Sequence, residues 1–130
     1  QVDKPTRKQD WIVFQGWAPH PMNNDFPLAY LSGGDAYYGA DLGAATVHTQ
    51  VRKGYMQECP NVAALLNNVT FDIALESEGM GYLIKDNLSP TEAAEKALKV
   101  NPGHLEKWLA GVTTTDGGDG LAAVKGSLGL

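Results

Sequence analysis

The chain has 130 residues, 43% of them apolar, with a formal charge of -5. That length and apolar content suit one core. The acidic balance, with 10 scattered Lys and Arg residues, leaves no electrostatic footprint for nucleic acid or an anionic membrane.

No apolar run nears the roughly 20 residues of a membrane span, and the polar start QVDKPTRKQD lacks the apolar centre of a signal peptide, so a soluble chain is expected. The chain opens on Gln1 without an initiator methionine, in a charged, turn-like stretch that reads as a cut end. Trp11 to Phe14 is an apolar run with β-branched residues at its centre, ending at Gly16, and predicts a short buried strand. From Trp17 to Ala45 prolines, glycines and asparagines recur too often for a long helix, and loop with short turns is expected. In ATVHTQVRKGY, Thr46, His48 and Gln50 alternate with Val47, Thr49 and Val51, the pattern of a half-buried strand.

After Tyr55 the period turns helical. Asn61 introduces VAALLNNV, with Ala64, Leu65 and Leu66 predicted to face inward. Thr70 is a candidate cap for a helix from Phe71 to about Asp86, weakened at Gly79 and Gly81 by about 1 kcal/mol each relative to alanine. Glycines so placed often mark close backbone contact. Ser89-Pro90-Thr91-Glu92 is a capping box with proline at the first helical position, so a helix through AAEKALKV is expected. Asn101 and Pro102 repeat that logic for a helix whose Leu105, Trp108 and Leu109 form an apolar stripe, which assigns Trp108 to the core. DGGDG then reads as a flexible turn before a last short helix from about Leu121; the twelve-position calcium loop ending in glutamate is absent.

Strand, long loop, strand and four helices leave too few strands to close a sheet. Together with the ragged start, this predicts a chain whose remaining part lies N-terminal. The lone thiol, Cys59, can pair only outside this chain; a free surface or half-buried thiol is the alternative.

Residues for chemistry are sparse. His20, His48 and His104 fall on a predicted loop, strand and helix without metal-ligand spacing, and neither G-x-S-x-G nor a phosphate-binding glycine loop occurs. No catalytic residue, metal or cofactor is expected. An enzymatic reading would need a perturbed His20 with a nucleophile beside it. The stretch GWAPHPMN is more informative: Trp17 stands at a predicted strand end, and Pro19 and Pro21 hold the loop away from helix. A ring there can project into a crevice beside the sheet, and tryptophan offers the best face for a cation; packing beneath the loop is the alternative. His20 either orients the loop by hydrogen bonding or fills space.

The runs IVFQGWAPHPMN, YLSGG, GAATVHTQVRKGYMQECPNVAALL and WLAGVTTTDGGDGLAAVKGSLGL resemble the C-terminal part of periplasmic choline and glycine-betaine binding proteins of ABC importers, the choline-binding branch above all. The resemblance implies an α/β fold: the C-terminal portion of a bilobal periplasmic-binding-protein (type II) fold, with an incomplete sheet and several helices. Residues 1–43 would be second-lobe strand, ligand-site loop and return crossover, and residues 44–130 the strand and helices completing the first lobe.

In that family a trimethylammonium group sits in a box of aromatic rings. The resemblance implies that the tryptophan of the G-W-x-P motif, here Trp17, is one of them; Pro19 and His20 are candidate loop support on the residue reading alone. The resemblance also implies a disulfide from Cys59 to an N-terminal part outside this chain. The implied function is non-catalytic binding of choline or glycine betaine for delivery to the membrane permease of an ABC importer, in the periplasm. The alternative is a stand-alone, non-catalytic interaction or regulatory domain built on the same scaffold. Unpaired strand edges near Ile12 and Val47 predict association with the N-terminal half or a second copy of the chain.

Overall fold

Ser89-Pro90-Thr91-Glu92 behaves as its residue types require. In the computed structural model, which describes residues 2–130, Ser89 Oγ accepts the Glu92 N–H at 3.4 Å and the Ser89 N–H donates to Glu92 Oε2 at 2.9 Å. The capping box closes and Pro90 opens the helix. In chain order the helices are α1 Asp3–Lys8, α2 Met22–Asp25, α3 Asp35–Tyr38, a 3-10 turn Asp41–Gly43, α4 Tyr55–Glu58, α5 Pro60–Asn68, α6 Ile73–Ile84, α7 Pro90–Val100, α8 Gly103–Trp108 and α9 Gly120–Leu128.

Three helix starts differ from the sequence reading, each for a local reason. Helix α6 is capped by Asp72, whose Oδ1 accepts the Leu75 N–H at 2.8 Å, and not by Thr70. A carboxylate three residues before the donating N–H also suits the positive end of the helix dipole. Asn101 caps nothing at α8, which starts after Pro102 without a side-chain cap. Its Nδ2 instead donates to Glu78 Oε2 at 2.7 Å and to the Ala97 carbonyl at 3.0 Å. Helix α5 begins at Pro60 after Cys59, which frees Asn61 to clasp Thr113: Nδ2 donates to its carbonyl at 2.7 Å and Oδ1 accepts its N–H at 2.8 Å. Asn68, one end of α5 away, donates to the carbonyls of Trp108 and Ala110.

Helices α6 and α7 pack together, and Leu75, Ala97 and Trp108 form the core, edged by Val69, Tyr82 and Leu98. Trp108 is buried as the sequence predicts, and its Nε1–H reaches the Thr70 carbonyl at 3.1 Å, so the indole enters the core with its one donor satisfied. Leu105 from the same stripe is also buried. Ala64, Leu65 and Leu66 are half-buried, and Ala63 is the buried position of α5. Neither Gly79 nor Gly81 is pressed by backbone: a Cβ at either would meet nothing within 4 Å. The expected close contact falls elsewhere, at Gly120, where a Cβ would lie 2.6 Å from the Val112 carbonyl oxygen. The DGGDG turn forms as predicted, and Asp119 caps α9 by accepting the Ala122 N–H at 3.0 Å.

Neither predicted strand forms among the described residues, where the isolated Thr113–Asp119 bridge is the only β pairing. Trp11 is 100% exposed and Val47 97%, so the buried reading of the first run and the half-buried reading of the second are both corrected. Alternation sets which side chains share a face, but a strand needs a neighbour to take its N–H and C=O groups, and among the described residues no segment pairs with either run. Burial follows the helices: among the described residues every buried position except Pro21 lies after residue 60.

Candidate functional site

Gly16 ends the apolar run in a tight place. A Cβ there would stand 3.3 Å from the Met22 Cε and 3.6 Å from the Phe14 ring, so a larger residue would need the Met22 methyl to give by a few tenths of an ångström. The next residue, Trp17, emerges into solvent with 57% of its surface exposed. Its ring meets His20 edge-on, centroids 5.4 Å apart and planes at 74°.

His20 Nδ1 accepts the Met22 N–H at 3.1 Å, which places the neutral ring's proton on Nε2 and fastens the loop to the first turn of α2. Pro19 and His20 are half-buried and Pro21 is buried immediately before α2, so the prolines hold residues 17–20 irregular while a short helix starts directly afterwards.

Asn23, which the sequence reading did not single out, ties the loop together. Its Nδ2 donates to the carbonyls of Trp17 at 2.9 Å and His20 at 3.0 Å, and its Oδ1 accepts the Tyr30 hydroxyl at 2.9 Å. The available signal was an asparagine three residues beyond a turn, a type that bonds nearby backbone more readily than it continues a helix. The Lys85–Asp25 ion pair then connects the end of α2 to the end of α6.

Beside this loop opens a cavity of about 1000 Å³, walled by residues 9–16 and 26–35 and lined by the rings of Trp11, Phe14, Tyr30 and Tyr38. Gly16 lines it and Trp17 does not, and no sheet forms alongside among the described residues.

The three histidines are not brought together. His48 meets Thr46 Oγ1 at 3.1 Å, while His104 lies 3.8 Å from Asp72 and tilts against Trp108. Among the described residues no three His, Cys, Asp or Glu side chains converge as a metal site would require. Cys59 is a half-buried free thiol between α4 and α5, its N–H on the Tyr55 carbonyl and its own carbonyl on the Ala63 N–H. No helix among the described residues is long and apolar enough to cross a membrane.

Residues 1–100 match the family described as the substrate binding domain of the ABC-type glycine betaine transport system. The chain belongs to this family. Within it, the chain is 37% identical over 116 residues to the glycine betaine/carnitine transport binding protein GbuC of Listeria monocytogenes serotype 1/2a (strain 10403S), a match covering 89% of this chain and 37% of the relative. Among solved structures it is similar to an ABC-transporter choline binding protein in complex with choline, at 54% identity and a TM-score of 0.75, over 98% of this chain and 44% of that one. A choline binding protein in an unliganded semi-closed conformation matches at 55% identity and a TM-score of 0.69, over 99% and 45%. The chain thus spans less than half the length of the relatives it matches. The predicted fold class, a portion of this binding-protein fold, agrees with these likenesses even though neither sheet segment is paired within the chain.

Proposed function

We propose that the protein captures a quaternary ammonium solute, choline or glycine betaine, outside the cytoplasmic membrane and delivers it to the permease of an ABC importer. The observation carrying this reading is Trp17: a large aromatic left in solvent on a loop fixed by His20 and Asn23, in a chain 54% identical to a choline binding protein. An indole presented this way suits a permanent cation, which keeps its charge at any pH and is held by ring faces without proton transfer. Binding is the whole of the task; Trp17 bears on the ligand and Pro19 and His20 support its loop. Family membership favours transport over a stand-alone interaction domain.

Residues 1–43 belong in this reading to the lobe that carries the Trp17 loop and the return crossover, and residues 44–130 to the other lobe. Cys59 pairs with a cysteine outside this chain, and the setting is periplasmic, where such a bridge persists. Each ring contributes about 0.5 to 2 kcal/mol, so one indole needs other rings beside it to hold the ligand tightly.

Calorimetry with choline tests the reading. In the protein at its natural length, Trp17→Ala is expected to weaken binding by about 5- to 30-fold, the equivalent of about 1 to 2 kcal/mol, with the melting temperature nearly unchanged. Unchanged affinity with a large fall in melting temperature would assign Trp17 to packing instead. The 130-residue chain alone is expected to bind no tighter than millimolar.

A further inference from the structure

A ring that binds a cation has to be held still, or the entropy of ordering it on binding is subtracted from the attraction. Packing holds Trp17 only in part, since more than half of its surface is in solvent and its ring meets the edge of His20. What constrains its backbone is polar. The Trp17 carbonyl and the His20 carbonyl both accept from Asn23 Nδ2, at 2.9 and 3.0 Å, bracketing the four-residue turn from either end. The same side chain is anchored from the far side by the Tyr30 hydroxyl, 2.9 Å from Oδ1. Tyr30 also lines the cavity beside the loop, and Gly16, next to Trp17, lies with its would-be Cβ 3.9 Å from that same hydroxyl.

Asn23 thus spends both amide protons and its oxygen on one junction. No other side-chain type of this length supplies two donors and an acceptor in one plane. Aspartate would oppose two carbonyls with a charge, and leucine would fill the space with no bond at all.

We propose that Asn23 is the positioning residue for the ligand ring, locking the Trp17 loop onto Tyr30 so that the indole is presented to a cationic ammonium ligand in one orientation. The inference rests on the reading of Trp17 as a ligand ring. It makes Asn23 act through Trp17, without touching the ligand, and extends the site to Tyr30.

The test is a double-mutant cycle in the protein at its natural length, read by calorimetry with choline and by thermal melting. Asn23→Leu is expected to weaken binding by about 5-fold, the net worth of about one hydrogen bond, and the melting curve separates a loss of fold from a loss of affinity. Tyr30→Phe, which removes only one hydroxyl, is expected to weaken it by about 2-fold and serves as the readout should Asn23→Leu fold poorly. In the Trp17→Ala background the Asn23→Leu change is expected to cost nothing further.

Full affinity in both Asn23→Leu and Tyr30→Phe, with Trp17→Ala weakened, overturns the positioning role and leaves the ligand ring standing. Additive losses in the double variant overturn it too, since Asn23 would then act independently of the indole. Unchanged affinity in Trp17→Ala removes the ligand-ring reading itself, and the positioning role with it.

Discussion

Gly120→Ala is the most severe single-methyl change the structure defines. The added Cβ would sit 2.6 Å from the Val112 carbonyl oxygen and 3.1 Å from its carbon. An ordinary carbon–oxygen approach is about 3.3 Å, so the carbonyl must retreat by about 0.7 Å. That same oxygen accepts the Gly120 N–H at 3.1 Å, and the adjoining Thr113–Asp119 bridge closes the turn before α9. Forced overpacking costs about 1 to 3 kcal/mol, and a weakened hydrogen bond adds about 0.5 to 1.5 kcal/mol. Alanine's better helix propensity returns less than about 1 kcal/mol at a first-turn position. The expected net loss is about 2 kcal/mol, a large share of the roughly 5 to 15 kcal/mol that holds a domain together.

Gly79→Ala is the matched control: its Cβ meets nothing within 4 Å in the middle of α6, and it is expected to add about 0.5 to 1 kcal/mol. Urea unfolding of both variants in the same background measures the difference, with an unchanged slope confirming that stability alone has moved. A Gly120→Ala variant as stable as the parent, or a Gly79→Ala variant less stable than Gly120→Ala, would refute the contact reasoning.

Tyr82 donates to Glu78 Oε1 at 2.5 Å, and that hydrogen bond, with burial and the nearby Glu78 and Asp86 charges, pushes its hydroxyl up to about 12. Because folding favours the protonated phenol, its contribution is complete below the ordinary value of roughly 10 and is lost as pH rises from there through about 12. Ultraviolet titration is expected to show one of the 5 tyrosines ionising late, with Tyr82→Phe abolishing that late step; a normal titration in both proteins contradicts the Glu78 contact. Asn61→Ala removes both bonds to Thr113 and is expected to destabilise by about 1 to 2 kcal/mol, seen as a lower urea midpoint. With Trp11, Val13, Leu31, Tyr37 and Val47 exposed, the 130-residue chain is expected to scatter light as a dimer or larger assembly. A cooperatively melting monomer at low concentration counts against that.

Local chemistry made several elements legible in advance. A capping box needs only residues within one turn of each other, so α7 is written at Ser89 and Glu92; α9 could likewise be placed from the turn before it. The stripe containing Leu105 and Trp108 predicted a buried indole without knowledge of its partners. GWAPHPMN marked Trp17 because prolines and glycine restrict the backbone around it, and the longer runs carried the family resemblance. What depended on distant groups was decided only in three dimensions. A strand is completed by a neighbour that its own sequence does not name, which is why the runs at Trp11 and Val47 alternate or cluster correctly and still stay unpaired. Asparagine has the same donors everywhere, yet Asn23 locks a loop to Tyr30, Asn61 clasps a segment 52 residues away and Asn101 joins two helices. Likewise Gly79 and Gly120 are identical in composition, and only the Val112 carbonyl beside the second makes it irreplaceable.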